Sequence, residues 1–309
     1  MQCSYCSVSA SSSHGPFRQR KIKDIIMEIK RQAEIHNIGF IDFEDENLCL
    51  NKQWFLKLFL KIKKLFADKN VELRAMNGLY PPAIDEDIVS LMKASGFKAL
   101  NLSLGSTSKN QLKKFKRHDV TASFEHALFL AEKYDLDCVS YIIAAAPGQT
   151  AQSSLEDLLY LAQKRTLAGL SIYYPAPGSL DYQFCETNHM LPDHFSLMRS
   201  TAFPLNNTTS RIEAVTLLRL SRILNFMKYL IDTKGDIPES KPFCGQEKAS
   251  SLNRQDSSEE LLQWFLHDGK IRGVDPGERI YIHIADKSLI KKFIQQIKTI
   301  PIAGIKKSV

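Results

Sequence analysis

The residues best suited to chemistry begin almost at once. In MQCSYC two cysteines, Cys3 and Cys6, stand at C-x-x-C spacing with Tyr5 just before the second. Two thiols so close together can be half of a metal or cluster site, or a redox pair. A thioredoxin-like pair should follow a strand and open a helix, whereas here the serine-rich SVSASSSHGP comes next. A zinc site would need further ligands; no second C-x-x-C is present, and Cys185, His189 and His194 have only a loosely ligand-like spacing. Further along, FEDEN (Phe43 to Asn47) sets the carboxylates of Glu44, Asp45 and Glu46 beside Asn47, a group able to hold an ammonium or ribose hydroxyls. Arg117 has the planar fork that pairs with a carboxylate, although it also reads as one more member of the basic run KKFKRH.

The elements that must position these residues follow from periodicity. Apolar stripes at helical spacing predict helices over Lys21 to His36, Asn51 to Ala67, Ile84 to Ser95 (closed by Gly96), Ala122 to Tyr134 and Ser154 to Arg165. Between them IGFIDF, VELRAM, ALNLSL, DCVSYIIAA and GLSIYY read as short buried strands. Strands alternating with helices of this length imply crossover connections and a parallel sheet. With about five β-α units visible, an open or partial barrel fits better than a closed eight-fold one. In such sheets ligands gather at the carboxyl ends of the strands. The strand exits are indeed small and polar: FEDEN, MNGL with Asn77 and Gly78, SLGSTS with Gly105, Ser106 and Ser108, APGQT with Pro147, Gly148 and Thr150, and YPAPGS. Any one of these is what a surface loop looks like. Together they suit a polar ligand lying across the top of the sheet, approached closely by backbone where glycine allows it.

Past residue 180 the alternation stops. Residues 183–233 read as a helical extension with a long helix over Arg211 to Ile231, residues 234–258 as a polar linker, and 259–309 as a small α+β appendage. The appendage offers a helix (Glu259 to His267), a hairpin turning at DPGE and a last helix, Lys287 to Lys298.

Composition narrows the function classes. At 309 residues, 44% hydrophobic and 24% charged, the chain has the make-up of a globular protein. No stretch approaches the roughly 18 to 20 apolar residues of a membrane span, and no signal-peptide pattern follows Met1, so a cytoplasmic location is expected. Six scattered cysteines do not make a disulfide scaffold. The net charge of +7 is spread as lysines over many helix faces, which argues against a nucleic-acid partner.

Taken in order, these pieces resemble the radical S-adenosylmethionine (SAM) superfamily. CSYC is similar to the last half of its C-x-x-x-C-x-x-C loop, GPFRQRKIKDIIMEI to the run into the first barrel helix, and FIDFEDENL to the acidic segment facing the ligand's amino group. LSLGS, Arg117, YIIAAAPGQT and IYYPAPGS resemble the later strand motifs, the last two in the manner of members linked to a cobalamin-binding domain. The likeness covers about residues 1–182. It implies a partial (βα)6 barrel lacking most of its first strand, a [4Fe–4S] cluster, SAM, an electron donor such as ferredoxin or flavodoxin, and a small-molecule or peptide substrate. Cobalamin would come on a domain outside this chain. By the same resemblance Cys3 and Cys6 are cluster ligands and Tyr5 lies near the adenine. Asp45, Glu46 and Asn47 face the amino end, Ser106 and Arg117 hold the polar and carboxylate ends, and Asn77, Pro147 and Gly148 are further cofactor-binding residues. The family's first cysteine would fall before Met1. The expectation is therefore a chain starting at an internal methionine, by truncation, frameshift or a misplaced start, and unable to assemble a normal cluster unless Cys49, Cys138, Cys185 or Cys244 substitutes. The alternative is a non-catalytic barrel module binding a nucleotide-like ligand or a partner protein.

Overall fold

The computed structural model describes residues 3–6, 19–45, 47–198, 205, 208–248 and 253–306. Five β-strands alternate with helices along the first half: α1 (Ile22–Ile35), β1 (Phe40–Asp42), α2 (Lys52–Leu65), β2 (Glu72–Arg74), α3 (Glu86–Ser95), β3 (Ala99–Gly105), α4 (Lys109–Lys114), α5 (Thr121–Lys133), β4 (Asp137–Ala144), α6 (Ala151–Ala162) and β5 (Leu167–Ile172). β1 pairs in parallel with β2, and β3, β4 and β5 form a parallel sheet in that order. Parallel bridges from Leu73 to Phe97 and from Leu79 to Leu102 join the two sheets. Strand order therefore follows chain order, the winding of a barrel rather than of a doubly wound sheet. Among the described residues β1 and β5 do not meet, so the barrel is partial.

Side-chain alternation assigns the two faces. Leu100, Leu102 and Leu104 of β3 and Cys138, Ser140, Ile142 and Ala144 of β4 are buried. The intervening Ser103, Val139, Tyr141 and Ile143 are only half-buried. The first set packs beneath the helices and the second lines the concave side. Local signals close the helices as expected. Asp85 accepts the Ile88 N–H at the start of α3, and Gly96 ends it in the left-handed region at φ 108°. A Cβ on Gly96 would lie 2.6 Å from the Val71 carbonyl oxygen, so glycine is needed for space as well as for φ.

Several elements depart from the sequence reading. β1 and β2 are three residues each, shorter than IGFIDF and VELRAM, and β1 has a strand neighbour on one side alone among the described residues. α6 starts at Ala151 rather than Ser154, because the Thr150 hydroxyl caps it by accepting the Ser153 N–H. Two further short helices, α4 and α7 (Leu180–Thr187), are capped by Ser108 and Ser179; α4 stands where a loop was expected, and α7 begins three residues before the expected helical extension.

The second half packs onto the first. α8 (Arg211–Lys234) starts at a Ser210/Glu213 capping box and continues to Lys234, three residues beyond the expected end. Asn225 on this helix lies along the open edge of β5. Its side-chain oxygen accepts the Ala168 N–H at 2.8 Å and its amide donates to the Ala168 carbonyl at 3.0 Å, standing in for a neighbouring strand. α9 (Arg254–Asp268) begins five residues before the expected Glu259, capped by Asn253, so the end of the polar linker is helical. β6 (Arg272–Val274) and β7 (Ile280–Ile282) form the antiparallel hairpin about the DPGE turn. α10 (Lys287–Ile297) follows, and its Leu289, Ile290, Phe293 and Ile297 belong to the same hydrophobic core as the barrel. No helix among the described residues is long and apolar enough to cross a membrane.

Candidate cofactor site at the strand ends

The cysteine pair forms a tight turn, with the Cys6 N–H donating to the Cys3 carbonyl at 3.3 Å. Four hydrogen bonds fix that turn to the carboxyl end of the sheet. Ser4 donates its N–H to the Phe115 carbonyl (2.9 Å) and its hydroxyl to the Lys114 carbonyl (3.2 Å). The Asp181 N–H donates to the Ser4 carbonyl (2.9 Å) and the Ala176 N–H to that of Tyr5 (3.2 Å). The turn is thereby held between the segment leaving β3 and the segment leaving β5. Cys3 is buried and Cys6 half-buried.

Tyr5 is built into the same place. Its ring meets Phe115 edge-on, with centroids 5.0 Å apart, and Phe115 stacks on Tyr173 at 6.3 Å. Its hydroxyl oxygen accepts from Arg117 Nη1 at 3.1 Å. Burial pushes the Tyr5 hydroxyl up to about 12, with the Arg117 guanidinium working in the opposite direction. The other Arg117 fork nitrogen donates to the carbonyl and hydroxyl of Ser103, while Nε is buried without a partner. Gly105, at φ 86°, makes room for this side chain; a Cβ there would lie 3.0 Å from Arg117 Nε.

Ser106, expected at a ligand's polar end, is instead tied inward. Its hydroxyl donates to Asp157 Oδ2 at 2.7 Å and accepts the Ser108 N–H at 3.1 Å. Asp157 also accepts the N–H (2.7 Å) and hydroxyl (2.6 Å) of Thr107, which makes it the anchor of the β3 exit. Burial raises its carboxyl above the usual range against the pull of these donors. Sequence reading missed Asp157 and Ser103, the one hidden in a helix pattern and the other in a strand.

Pro147 and Gly148 line a cavity of about 840 Å³, together with Lys114, Phe115, Asp181 and Phe184. Gly148 sits at φ 72°, its carbonyl accepting from Lys114 Nζ at 3.0 Å. Behind Phe115, Tyr173 donates to Asp181 Oδ2 at 2.7 Å. Lys114 and Asp181 give this space one charge of each sign, and the aromatic rings supply flat apolar walls suited to a nucleoside-like body.

The remaining predicted residues form a second group at the exits of β1 and β2. Asn77 donates to the Glu44 carbonyl at 2.9 Å, joining those two loops, and the Asn47 carbonyl accepts the Leu50 N–H. Burial raises the Asp45 carboxyl, and nearby Arg20 opposes the shift. Glu46 lies outside the described residues. No hydrogen bond among the described residues joins this group to the cysteine turn.

A family model for the radical SAM superfamily matches residues 1–161. The chain belongs to the radical SAM superfamily. No curated protein matches the sequence. Among solved structures, the radical S-adenosylmethionine methyltransferase TsrM from Kitasatospora setae, with cobalamin and a [4Fe–4S] cluster bound, aligns with a TM-score of 0.51 at 16% identity, over 63% of this chain and 39% of that one. Coproporphyrinogen III oxidase (HemN) from Escherichia coli aligns at 0.49 and 16%, over 78% and 57%. Methylornithine synthase (PylB) aligns at 0.48 and 12%, over 97% and 79%. The TsrM likeness is one of fold, and this radical SAM chain spans about two fifths of that methyltransferase's length.

The donor set can be tested against the cluster and the S-adenosylmethionine that the family implies. Cys3 and Cys6 supply two thiols. Cys49 and Cys138 lie in the hydrophobic core with burial raising both thiols, and Cys185 is buried on α7 with its thiol pushed up to about 11. Cys244 is exposed on the segment after α8. No group of three metal-ligating side chains occurs among the described residues, which also removes the Cys185, His189 and His194 set. The described residues therefore do not by themselves fit a three-thiolate cluster, whereas the cavity and its polar rim do fit a nucleoside-sized ligand.

Proposed function

We propose that this radical SAM chain is the S-adenosylmethionine-binding partial barrel of an enzyme of the radical or cobalamin-assisted methyl-transfer class. The observation that carries this reading is the C-x-x-C turn, fixed by four hydrogen bonds over the exits of β3 and β5 beside the cavity at Gly148. In that class the cofactors supply the difficult chemistry, and the protein binds, orients and shields. Here Phe115, backed by Tyr5 and Tyr173, forms an apolar wall, Lys114 and Asp181 present opposite charges to the ligand's polar ends, and Cys3 and Cys6 would offer two thiols to a cluster whose further ligand the described residues do not supply. Electrons would come from a ferredoxin- or flavodoxin-like donor in the cytoplasm, and the substrate would be a small molecule or peptide. Cobalamin, where used, would be carried on another domain.

The two-thiol donor set favours a second reading, in which the barrel binds a nucleotide-like ligand without turnover. Two measurements on the full chain separate them. Calorimetric titration with S-adenosylmethionine should show saturable binding that weakens at least tenfold in Gly148→Val; no binding would overturn both readings. Anaerobic treatment with iron and sulfide should then load well under the roughly four irons of a [4Fe–4S] cluster. Iron retained by wild type but lost in Cys3→Ser, with 5′-deoxyadenosine released under strong reductant, supports the enzyme. Ligand binding with no iron retained and no release supports the module.

A further inference from the structure

The loop between β7 and α10 is laid across the first turns of α8. The Thr216 hydroxyl donates to the Ile212 carbonyl at 2.7 Å and accepts the Asp286 N–H at 2.8 Å. Arg219 Nη1 donates to the Ile284 carbonyl at 2.9 Å. Ile212, Thr216 and Arg219 stand at i, i+4 and i+7, so they share the helix face that receives the loop. The apolar side chains around this junction are nonetheless left in water. Ile284 is 79% exposed, Ile282 on the same side of the hairpin strand is 56% exposed, and Ile212 is 47% exposed. Single exposed isoleucines are ordinary, but these three belong to one hydrogen-bonded junction and form one patch.

The charge beside the patch has one sign. Arg222, one turn beyond Arg219, is exposed. Burial, and to a lesser degree the charge of Arg222, hold Arg219 below its ordinary value, so the two guanidiniums are neighbours. Lys287 opens α10 three residues after Ile284 and is also exposed. Among the described residues none of these three cations forms an ion pair. The carboxylates close by are committed elsewhere: Glu213 accepts the Ser210 N–H, Asp286 accepts the Leu289 N–H, and Asp275 pairs with Arg279. Glu278 belongs to the hairpin turn, at the other end of β7 from Ile284.

The shape narrows the partner. Ile284 projects from its loop, so the patch is raised and lacks the groove that clasps an amphipathic helix. Nor does it offer the open rings on which bases stack. Tyr281 beside it lies so close to β6 that a Cβ on Gly273 would come within 2.7 Å of the ring, and it meets His283 edge-on. Aliphatic side chains projecting among unpaired cations suit the boundary between lipid headgroups and acyl chains.

We propose that this patch docks the protein on an anionic membrane surface. Arg219, Arg222 and Lys287 meet the headgroups, and Ile212, Ile282 and Ile284 enter the interface. Each such cation strengthens partitioning by roughly fivefold. The Thr208 and Thr209 hydroxyls hold the Gln149 carbonyl just before α8 begins, whereas Asn225 further along reaches the start of β5. The patch therefore lies at the cavity's end of the barrel. The proposal does not depend on the cofactor reading.

The full chain is sedimented with vesicles of phosphatidylcholine alone, or with one part in four phosphatidylserine, at about 0.1 M salt, where charges act over ~10 Å. Binding to the anionic vesicles should be at least tenfold tighter than to the neutral ones. Arg222→Glu should weaken it at least tenfold and Ile284→Ser at least threefold. Lys61→Glu, which makes the same change in net charge on the exposed side of α2, should stay within twofold of wild type. All three variants should keep S-adenosylmethionine titrations within twofold of wild type, so a failure of docking is distinct from a failure of the cofactor site. The vesicle comparison uses wild-type protein and stands even if a variant fails to fold. Equal binding to both vesicles, or binding to neither, would overturn the proposal. So would unaltered binding in folded Arg222→Glu or Ile284→Ser, or an equal loss in Lys61→Glu, which would leave net charge as the cause. Tighter binding to a mixed-sequence single-stranded RNA than to the anionic vesicles would overturn it in favour of nucleic acid.

Discussion

Asp157 shows how much of the cofactor face depends on one side chain that touches no ligand. Its two oxygens take three short hydrogen bonds from Ser106 and Thr107, so the β3 exit is fastened to α6 across a sequence separation of 51 residues. Replacing it with alanine leaves a buried hydroxyl and a partly buried N–H without acceptors, each worth on the order of 1 to 3 kcal/mol. Asp157→Ala should therefore lose roughly 2 to 4 kcal/mol of stability by urea unfolding. Asp157→Asn should lose less, because its carbonyl still serves both Thr107 donors. The sign of the pH effect follows from burial, which raises the folded carboxyl above its ordinary 3.8. The contribution from this group is then fully present below that value and declines as pH rises through the folded pKa. The deficit of Asp157→Asn should be largest in acid and shrink toward neutrality; a deficit growing with pH would mean that the hydrogen bonds outweigh burial.

At the scale of elements, Lys228 does for the far side of the sheet what Asp157 does for the near side. It is completely buried on α8, and its ammonium donates to the carbonyls of Ala162 (3.1 Å), Lys164 (2.6 Å) and Ala303 (2.9 Å). One buried amino group thus joins the end of α6, the approach to β5 and the segment at Ala303. Lys228→Met keeps the length but strands three acceptors, for an expected loss of about 2 to 4 kcal/mol. Burial holds the Lys228 ammonium down to about 7, with Asp232 pulling the other way. A depressed base contributes stability that is fully present above its unfolded value, 10.5, and is lost as pH falls through about 7. The gap in urea midpoint between wild type and Lys228→Met should therefore be wider at pH 9 than at pH 6.5. Little of this is legible from the residues in order. In RILNFMKYL a lysine at helical spacing reads as solvated surface, and Asn225 as an ordinary polar position. What periodicity does reveal is what local physics decides alone: the LNLSL alternation of β3, the Gly96 cap, the DPGE turn in which Asp275 accepts from Gly277 and Arg279. The cysteine turn was legible as a motif, while the bonds that hold it run from Ser4 to residues more than a hundred positions away. Short α4 escaped notice because its capping serine, Ser108, looks the same as a loop residue waiting for a ligand.

For the whole molecule, the question is whether the tail is an addition to the barrel or part of it. Leu289, Ile290, Phe293 and Ile297 of α10 are buried in the core that also holds Leu155, Leu158 and Leu217 of α6 and α8. Beyond them the Ala303 N–H donates to the Ala162 carbonyl at 3.0 Å, and Asp232 accepts from the N–H groups of Ile305 and Lys306. Truncating a single buried Leu, Ile or Phe costs about 2 to 5 kcal/mol, so removing four exceeds much of the roughly 5 to 15 kcal/mol that holds a domain folded. Lys228 would lose one acceptor as well, and the flank of α6 would open to water. A chain ending at residue 285 should therefore lack a cooperative thermal transition, bind hydrophobic dye and be cut by protease within α6 and α8. The complete chain should resist cleavage there under the same conditions. If residues 286–306 were an independent appendage, the shortened chain would instead keep its melting midpoint within a few degrees and retain full S-adenosylmethionine affinity. That outcome would require the apolar side chains of α6 and α8 now packed beneath α10 to find other cover.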